Sequence, residues 1–346
     1  MFKRLCVSAA VAVGCLASAI SAHAEPEFTF ILEHVLGPKS TAQTQFLEPW
    51  AKRIKEQSDG RIKIEIYPAM SLGGKPTELY SHIRDGAVDL GWSALGYTPG
   101  VYPRSEVFEL PFVHTGSAAV TNMAIQDVYE EYLSQDFDDI KPLLIHVHTG
   151  QALFTTEKKI ESLADLKGMK LRAPSRTGVW MLESWGAQPV SMPVPDLPQA
   201  LSLGVVDGAL IPFEVAIPFK IQDMTKYSFE GADGVRFGTL VFMFAMNKDR
   251  YEALPDELKK VIDDNSGAHI AKEIGDAWDA IEPRGEDIFS KSGEVIQLSA
   301  EETDKFAGKS DEVIDRWIAE MNEKGVDGAA MVKAARAAIT KYSQQN

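Results

Sequence analysis

Residues 165–214 read DLKGMKLRAPSRTGVWMLESWGAQPVSMPVPDLPQALSLGVVDGALIPFE, and the periodicity of this stretch decides the fold class. A short apolar run over 169–171 ends at Arg172. Pro174, Ser175 and Thr177 then supply a turn and a helix cap. Val179, Trp180, Leu182 and Trp185 carry the spacing of a buried helical stripe, and Gly186 is placed to stop it. A second strand is expected over 189–192, a second helix over 196–203 and a third strand over 205–210. Strands alternating with helices imply a parallel sheet with helical crossovers. Ligands of such sheets sit at the carboxyl ends of the strands. Arg172 stands at such an end, just before a helix start. A guanidinium there can grip a carboxylate through two parallel hydrogen bonds. Position alone does not separate that role from an exposed surface arginine.

Working outward, the amino-terminal half repeats the pattern. FTFIL (28–32) reads as a strand ending at Glu33 and His34. A helix is expected over 41–57, with Phe46, Leu47, Trp50 and Ile54 on one face. RIKIEIY (61–67) alternates as a strand with one wet face. A helix to about Gly86 and a strand over 89–93 complete a second βαβ pattern. Gly73-Gly74 reads as an ordinary turn rather than an anion nest. The loop 94–112 carries Tyr97, Tyr102, Phe112 and prolines, which reads first as packing.

LLIHVHT (143–149) is an expected strand that places His146 and His148 on one face. A metal would need a third ligand, and none of the right type lies at a recognisable spacing, so a hydrogen-bonded pair near a domain crossing is the reading. TLVFMFAM (239–246) suits a strand buried on both faces. From Pro255 a long helical pattern runs to about Ser290, and Pro283 is expected to bend it. A short strand over 294–298 and helical patterns over 301–324 and 328–342 finish the chain.

The first 24 residues read as an address. Lys3 and Arg4 precede an apolar segment, and Ala22-His23-Ala24 is an A-x-A cleavage pattern, so the mature chain is expected to start at about Glu25 in the periplasm. A rival lipoprotein reading at Cys15 suffers from Ala12, which stands where a leucine is usual. Both cysteines, Cys6 and Cys15, lie in the signal, which leaves a disulfide-free mature protein held by its core. About 320 residues exceed one ordinary core and argue for two domains. The net charge is -15, two units more negative once Lys3 and Arg4 are removed. Such a charge argues against nucleic acid and anionic membrane as partners. No direct membrane insertion is expected, because no later segment approaches about 18 uninterrupted apolar residues.

No catalytic or cofactor motif stands out: G-x-S-x-G, the P-loop, G-x-G-x-x-G and H-E-x-x-H are all missing. Asp263-Asp264 reads as a solvated helical face, and Glu214 alone is not a mechanism.

The pattern "DLKG-K-R-P" followed by "GA-PV-MP---L--AL--GVVDG" resembles the solute-binding proteins of TRAP transporters, the tripartite ATP-independent periplasmic carriers of organic acids. The likeness extends through "I-IYPAMSLGG--EL---IRDGAVDLGW", "YP-SEVFELPF" and "NKDRYEALPDELKKVIDD", nearly the whole mature chain. It implies a two-domain α/β periplasmic binding protein fold, each domain a mixed, mainly parallel sheet flanked by helices, with a long helix bridging the domains. The implied division is 1–24 signal, 25–149 plus 238–277 first domain, and 150–237 plus 278–346 second domain. It also implies a carboxylate grip at Arg172, no cofactor and no metal. The implied partners are the transporter's small four-helix and large membrane subunits. A ligand-sensing receptor and a periplasmic enzyme acting on an organic acid are the competing function classes.

The departures from the family pattern bear on the ligand. A second arginine, usual after the domain crossing, is missing from the run Gly150-Gln151-Ala152-Leu153-Phe154-Thr155. Ile211 replaces a usual asparagine, Met192-Pro193-Val194 replaces "MPF", and the late strand carries Phe242, Met243 and Phe244. Each change removes a hydrogen-bonding group, and each buried polar group left unpaired costs about 1–3 kcal/mol. A single carboxylate on a largely apolar body is therefore expected, an aromatic acid such as a hydroxybenzoate first, with short branched hydroxy- or keto-acids as competitors. The expected ligand-binding residues are Arg172, His34, Trp92, Tyr97, His148, Phe154, Phe213, Glu214 and Phe242.

Overall fold

The computed structural model describes residues 25–345; the expected signal segment lies outside them. Among the described residues, eleven strands fall into two sheets. The first contains β1 (Phe28–His34), β2 (Ile62–Tyr67), β3 (Leu90–Ala94), β4 (Ile140–Val147) and β10 (Val241–Asn247) in the order β2-β1-β3-β10-β4. The second contains β5 (Ala152–Thr155), β6 (Lys170–Ala173), β7 (Gln188–Ser191), β8 (Gly208–Ile211), β9 (Tyr227–Glu230) and β11 (Glu294–Gln297) in the order β11-β9-β5-β8-β6-β7.

Both sheets are mixed. β1 runs parallel to β2 and β3, and β6 runs parallel to β7 and β8, as strand–helix–strand units require. The antiparallel members, β10 and β5, enter where the chain passes from one sheet to the other. β10 is buried along its whole length, in keeping with its unbroken apolar run.

The deciding stretch folds largely as its periodicity implies. Ser175 caps the helix Arg176–Ser184 by accepting from the Gly178 N–H, and Gly186 ends the turn at φ +82°. Trp180, Leu182 and Trp185 are buried, whereas Val179 is half-buried. The third strand starts later than expected, at Gly208. Gly204 adopts φ +66° and Val205 N–H returns to Ala200 C=O, so Leu203 and Val205 close a turn and remain exposed.

The long helical pattern after Pro255 is two helices, Asp256–Asp263 and Ala271–Phe289. Gly267 at φ +53° lies in the break, and Asn265 there accepts from Trp50 Nε1 at 2.9 Å. The second helix continues through Pro283. It bridges the lobes. Asp279 accepts from Ser117, Ala118 N–H and Ala119 N–H on the first lobe, at 2.7–3.1 Å. One turn on, Glu282 accepts from the N–H groups of Phe213 and Glu214 on the second lobe, at 3.0 and 2.9 Å. The final helix, Gly328–Ser343, packs on the first-lobe helix Ala118–Val128, where Lys341 pairs with Asp127 at 2.9 Å. The expectation that everything after residue 278 belongs to the second lobe therefore does not describe this helix.

Candidate ligand-binding site

Alternation along β6 sends Leu171 and Arg172 to opposite faces. Arg172 emerges at the carboxyl end of the strand, beside Val190 of β7 and Ala209 of β8. It is only 2% exposed. Its Nε donates to Met192 C=O at 3.0 Å and its Nη1 to Leu210 C=O at 2.8 Å. Met192 directly follows β7 and Leu210 lies within β8, so the parallel sheet itself aims the guanidinium. Nη2 is buried without a hydrogen-bond partner. Among the described residues no carboxylate lies within ion-pairing distance of Arg172. Burial holds the guanidinium below its ordinary pKa range, with the Tyr97 hydroxyl and Asp196 opposing. An uncompensated buried cation is costly, and an anion brought to Nη2 relieves it.

Arg172 faces a narrow, nearly filled cavity between the lobes, with about 30 Å³ of free space, so a ligand the size of a benzoate enters only as the walls move apart. The first lobe contributes Val35, Leu36, Trp92, Leu240 and Phe242, and the second Val194, Leu210, Ile211 and Val215. Trp92 and Phe242 stack at 4.8 Å with an interplanar angle of 8°, forming a flat aromatic wall. Trp92 is locked edgewise, its Nε1 donating to His146 Nε2 at 2.8 Å. Flat apolar walls with one cationic end suit a planar ring that carries a carboxylate.

Few polar groups interrupt the lining. Tyr97 reaches across the lobes, and its hydroxyl accepts from Val194 N–H at 3.0 Å. His148 Nδ1 accepts from Gly150 N–H at 3.0 Å, which puts the proton of the neutral ring on Nε2. Burial, with His114 and His146 nearby, keeps that ring neutral well below its ordinary pKa. Glu214 accepts from Thr41 Oγ1 at 2.8 Å, across the lobes, and from Trp278 Nε1 at 3.2 Å. Burial pushes its carboxyl up to about 7. Gln151 completes the set.

The structure thus brings Arg172, Trp92, Tyr97, His148, Glu214 and Phe242 to one cavity. The other three expected residues lie behind it. Phe154 packs on Phe213 and Phe289, at 4.9 and 5.0 Å between ring centroids, under the second sheet. Phe213 belongs to a short helix, Phe213–Ala216. His34 turns away and meets Gln43 Oε1 at 2.5 Å, while its successors Val35 and Leu36 line the cavity. His146 and His148 are not bonded to each other: β4 ends at Val147, and His146 serves Trp92 in the core. Sequence reasoning missed Gln151. It read that position only as a lost arginine, although a glutamine retains both a donor and an acceptor.

A model of the family "bacterial extracellular solute-binding protein, family 7" (DctP) matches residues 32–321. The chain belongs to that family, and it has the two-lobed fold of the TRAP solute-binding proteins that the sequence resembles. One similar structure is a TRAP solute-binding protein from a marine metagenome, specific for aromatic acids and co-crystallised with 3-hydroxybenzoate. It is 39% identical, with TM-score 0.89 over 92% of this chain and 99% of that one. Another, from Rhodoferax ferrireducens, holds copurified benzoate and is 37% identical, with TM-score 0.88 over 91% and 98%. Among curated relatives, the outer membrane transporter protein TsaT of Comamonas testosteroni is 25% identical over 97% of both chains.

Proposed function

We propose that the protein captures an aromatic monocarboxylate in the periplasm and delivers it, unchanged, to the small four-helix and large membrane subunits of a TRAP transporter. The observation that carries this reading is the buried Arg172 with its free Nη2 at the end of a flat, apolar cavity. The aromatic acids held by two relatives at 37–39% identity support it. The lobes, residues 25–149 plus 238–277 and 150–237 plus most of the remainder, open to admit the ligand and close over it. Closure excludes water, which strengthens the arginine–carboxylate pair. Binding, rather than turnover, accounts for the site, since Glu214 is a single carboxyl already engaged by Thr41 and Trp278.

A thermal-shift panel tests the reading. A ligand at about 100 times its Kd stabilises the protein by about 2.7 kcal/mol. Benzoate and hydroxybenzoates are expected to raise Tm, and mass spectrometry after prolonged incubation is expected to return the acid unchanged. A shift confined to uronates or C4-dicarboxylates would refute the ligand class, and a converted acid would refute the binding role.

A further inference from the structure

We infer that Gln151 reads a hydroxyl group on the ligand, so that the cavity prefers a hydroxy-substituted aromatic monocarboxylate over the unsubstituted acid. The inference rests on the carboxylate reading above and deepens it.

Gln151 is only 3% exposed and its backbone is pinned on both sides. Its N–H donates to Gly238 C=O at 2.8 Å, and its C=O accepts from Phe237 N–H at 3.3 Å. Its side-chain Nε2 donates to Thr239 C=O at 3.0 Å. That contact fixes the amide orientation, because only the NH2 end can face a carbonyl. Oε1 is therefore directed away from Thr239. It is buried and has no partner in the protein, and the residue lines the cavity.

The cavity wall thus holds an acceptor that a second carboxylate would repel and a bare ring edge would leave unpaired. A hydroxyl supplies the missing donor. His148, in the same wall, offers the complement. Its Nδ1 is occupied by Gly150 N–H, so its proton sits on Nε2, which has no protein partner among the described residues. A hydroxyl can donate to Gln151 Oε1 while accepting from a neutral imidazole N–H. Leaving the buried Gln151 oxygen unpaired is what penalises the ligand that lacks the hydroxyl.

The test is a set of titrations with 2-, 3- and 4-hydroxybenzoate, benzoate, and the fluorobenzoate matching the tightest isomer. Fluorine fills nearly the same space without donating a proton. Wild-type protein should bind the best hydroxybenzoate about tenfold or more tightly than benzoate and the fluoro analogue, the discrimination expected of one buried polar group. In Gln151→Met the ratio should collapse toward one, with a melting transition confirming that the variant is folded. Two results overturn the inference alone: near-equal binding of all these acids by the wild type, as when an ordered water satisfies Oε1, or an unchanged ratio in the variant. Failure of every acid to bind the wild type would overturn the carboxylate reading and this inference with it.

Discussion

Replacing Arg172 with alanine removes three donors at once. Two serve the carbonyls of Met192 and Leu210, and the third, Nη2, is free for ligand. For the empty protein the effects oppose each other. Two buried carbonyls lose partners at about 1–3 kcal/mol each, while a cation with no carboxylate beside it is no longer buried, which recovers several kcal/mol. The net change in apo stability should therefore be modest. The bound state has no such compensation. Truncating one partner of a buried, hydrogen-bonded charge pair costs about 2–5 kcal/mol, or about 30- to several-thousand-fold in Kd. Arg172→Lys keeps the charge but replaces the planar fork with a point donor that cannot reach both carbonyls and the ligand together, so a loss of about 10- to 100-fold is expected. Calorimetric titration with benzoate, alongside apo Tm values, separates the two effects. Alanine-variant affinity within threefold of wild type, with the fold intact, would refute the reasoning.

Three further substitutions probe the frame around the site. Tyr97→Phe leaves the Val194 N–H without its acceptor across the lobes, so Kd should rise about tenfold with little change in unfolding of the separate lobes; an unchanged Kd would remove Tyr97 from the closure contacts. Gly275→Ala would place a Cβ 2.3 Å from Ala119 Cα, forcing the bridging helix off the Ala118–Val128 helix. A loss of about 1–3 kcal/mol in denaturant unfolding is expected, and a neutral result would contradict that packing. Glu214→Gln tests pH dependence. The folded carboxyl of Glu214 is pushed up to about 7 from 4.5, so its proton favours the fold: the contribution is fully present below about pH 4.5 and disappears as pH rises through 7. Relative to the glutamine variant, wild type should lose about 2–3 kcal/mol between pH 5 and pH 8. The difference between the two proteins isolates Glu214, because the other buried groups, Glu109 in the same sense and His146 and His148 in the opposite one, titrate in both. A pH-independent difference would place the Glu214 carboxyl in its ordinary range.

Much of the fold was legible because its signals are local. The stripe Trp180, Leu182, Trp185 and the stop at Gly186 mark a helix from neighbouring residues alone. What escaped depended on longer reach. Leu203 and Val205 look like strand residues until Gly204 is known to close a turn. The break between Asp263 and Ala271 depends on Trp50, more than two hundred residues away, holding Asn265. The last helix has an apolar face that nothing in its own sequence assigns to one lobe. The same distinction runs through the site. Arg172 could be placed because a strand end positions it. Phe154 and Phe213 could not be told from wall residues, because the faces of β5 and of the Phe213–Ala216 turn are set by Phe289. On that turn Glu214 faces the cavity while its neighbour Phe213 faces the core. Gln151 was invisible as a site residue because its importance lies in an orientation, fixed by Thr239 C=O, that composition does not encode.

The arginine–carboxylate contact is tested by a crystal structure of the protein with bound 3-hydroxybenzoate. A carboxylate oxygen is expected within about 3 Å of Arg172 Nη2, with the ring flat between the lobes beside Trp92 and Phe242. A ligand whose carboxylate lies away from Arg172, with Nη2 bonded to water or to a protein group instead, would contradict it.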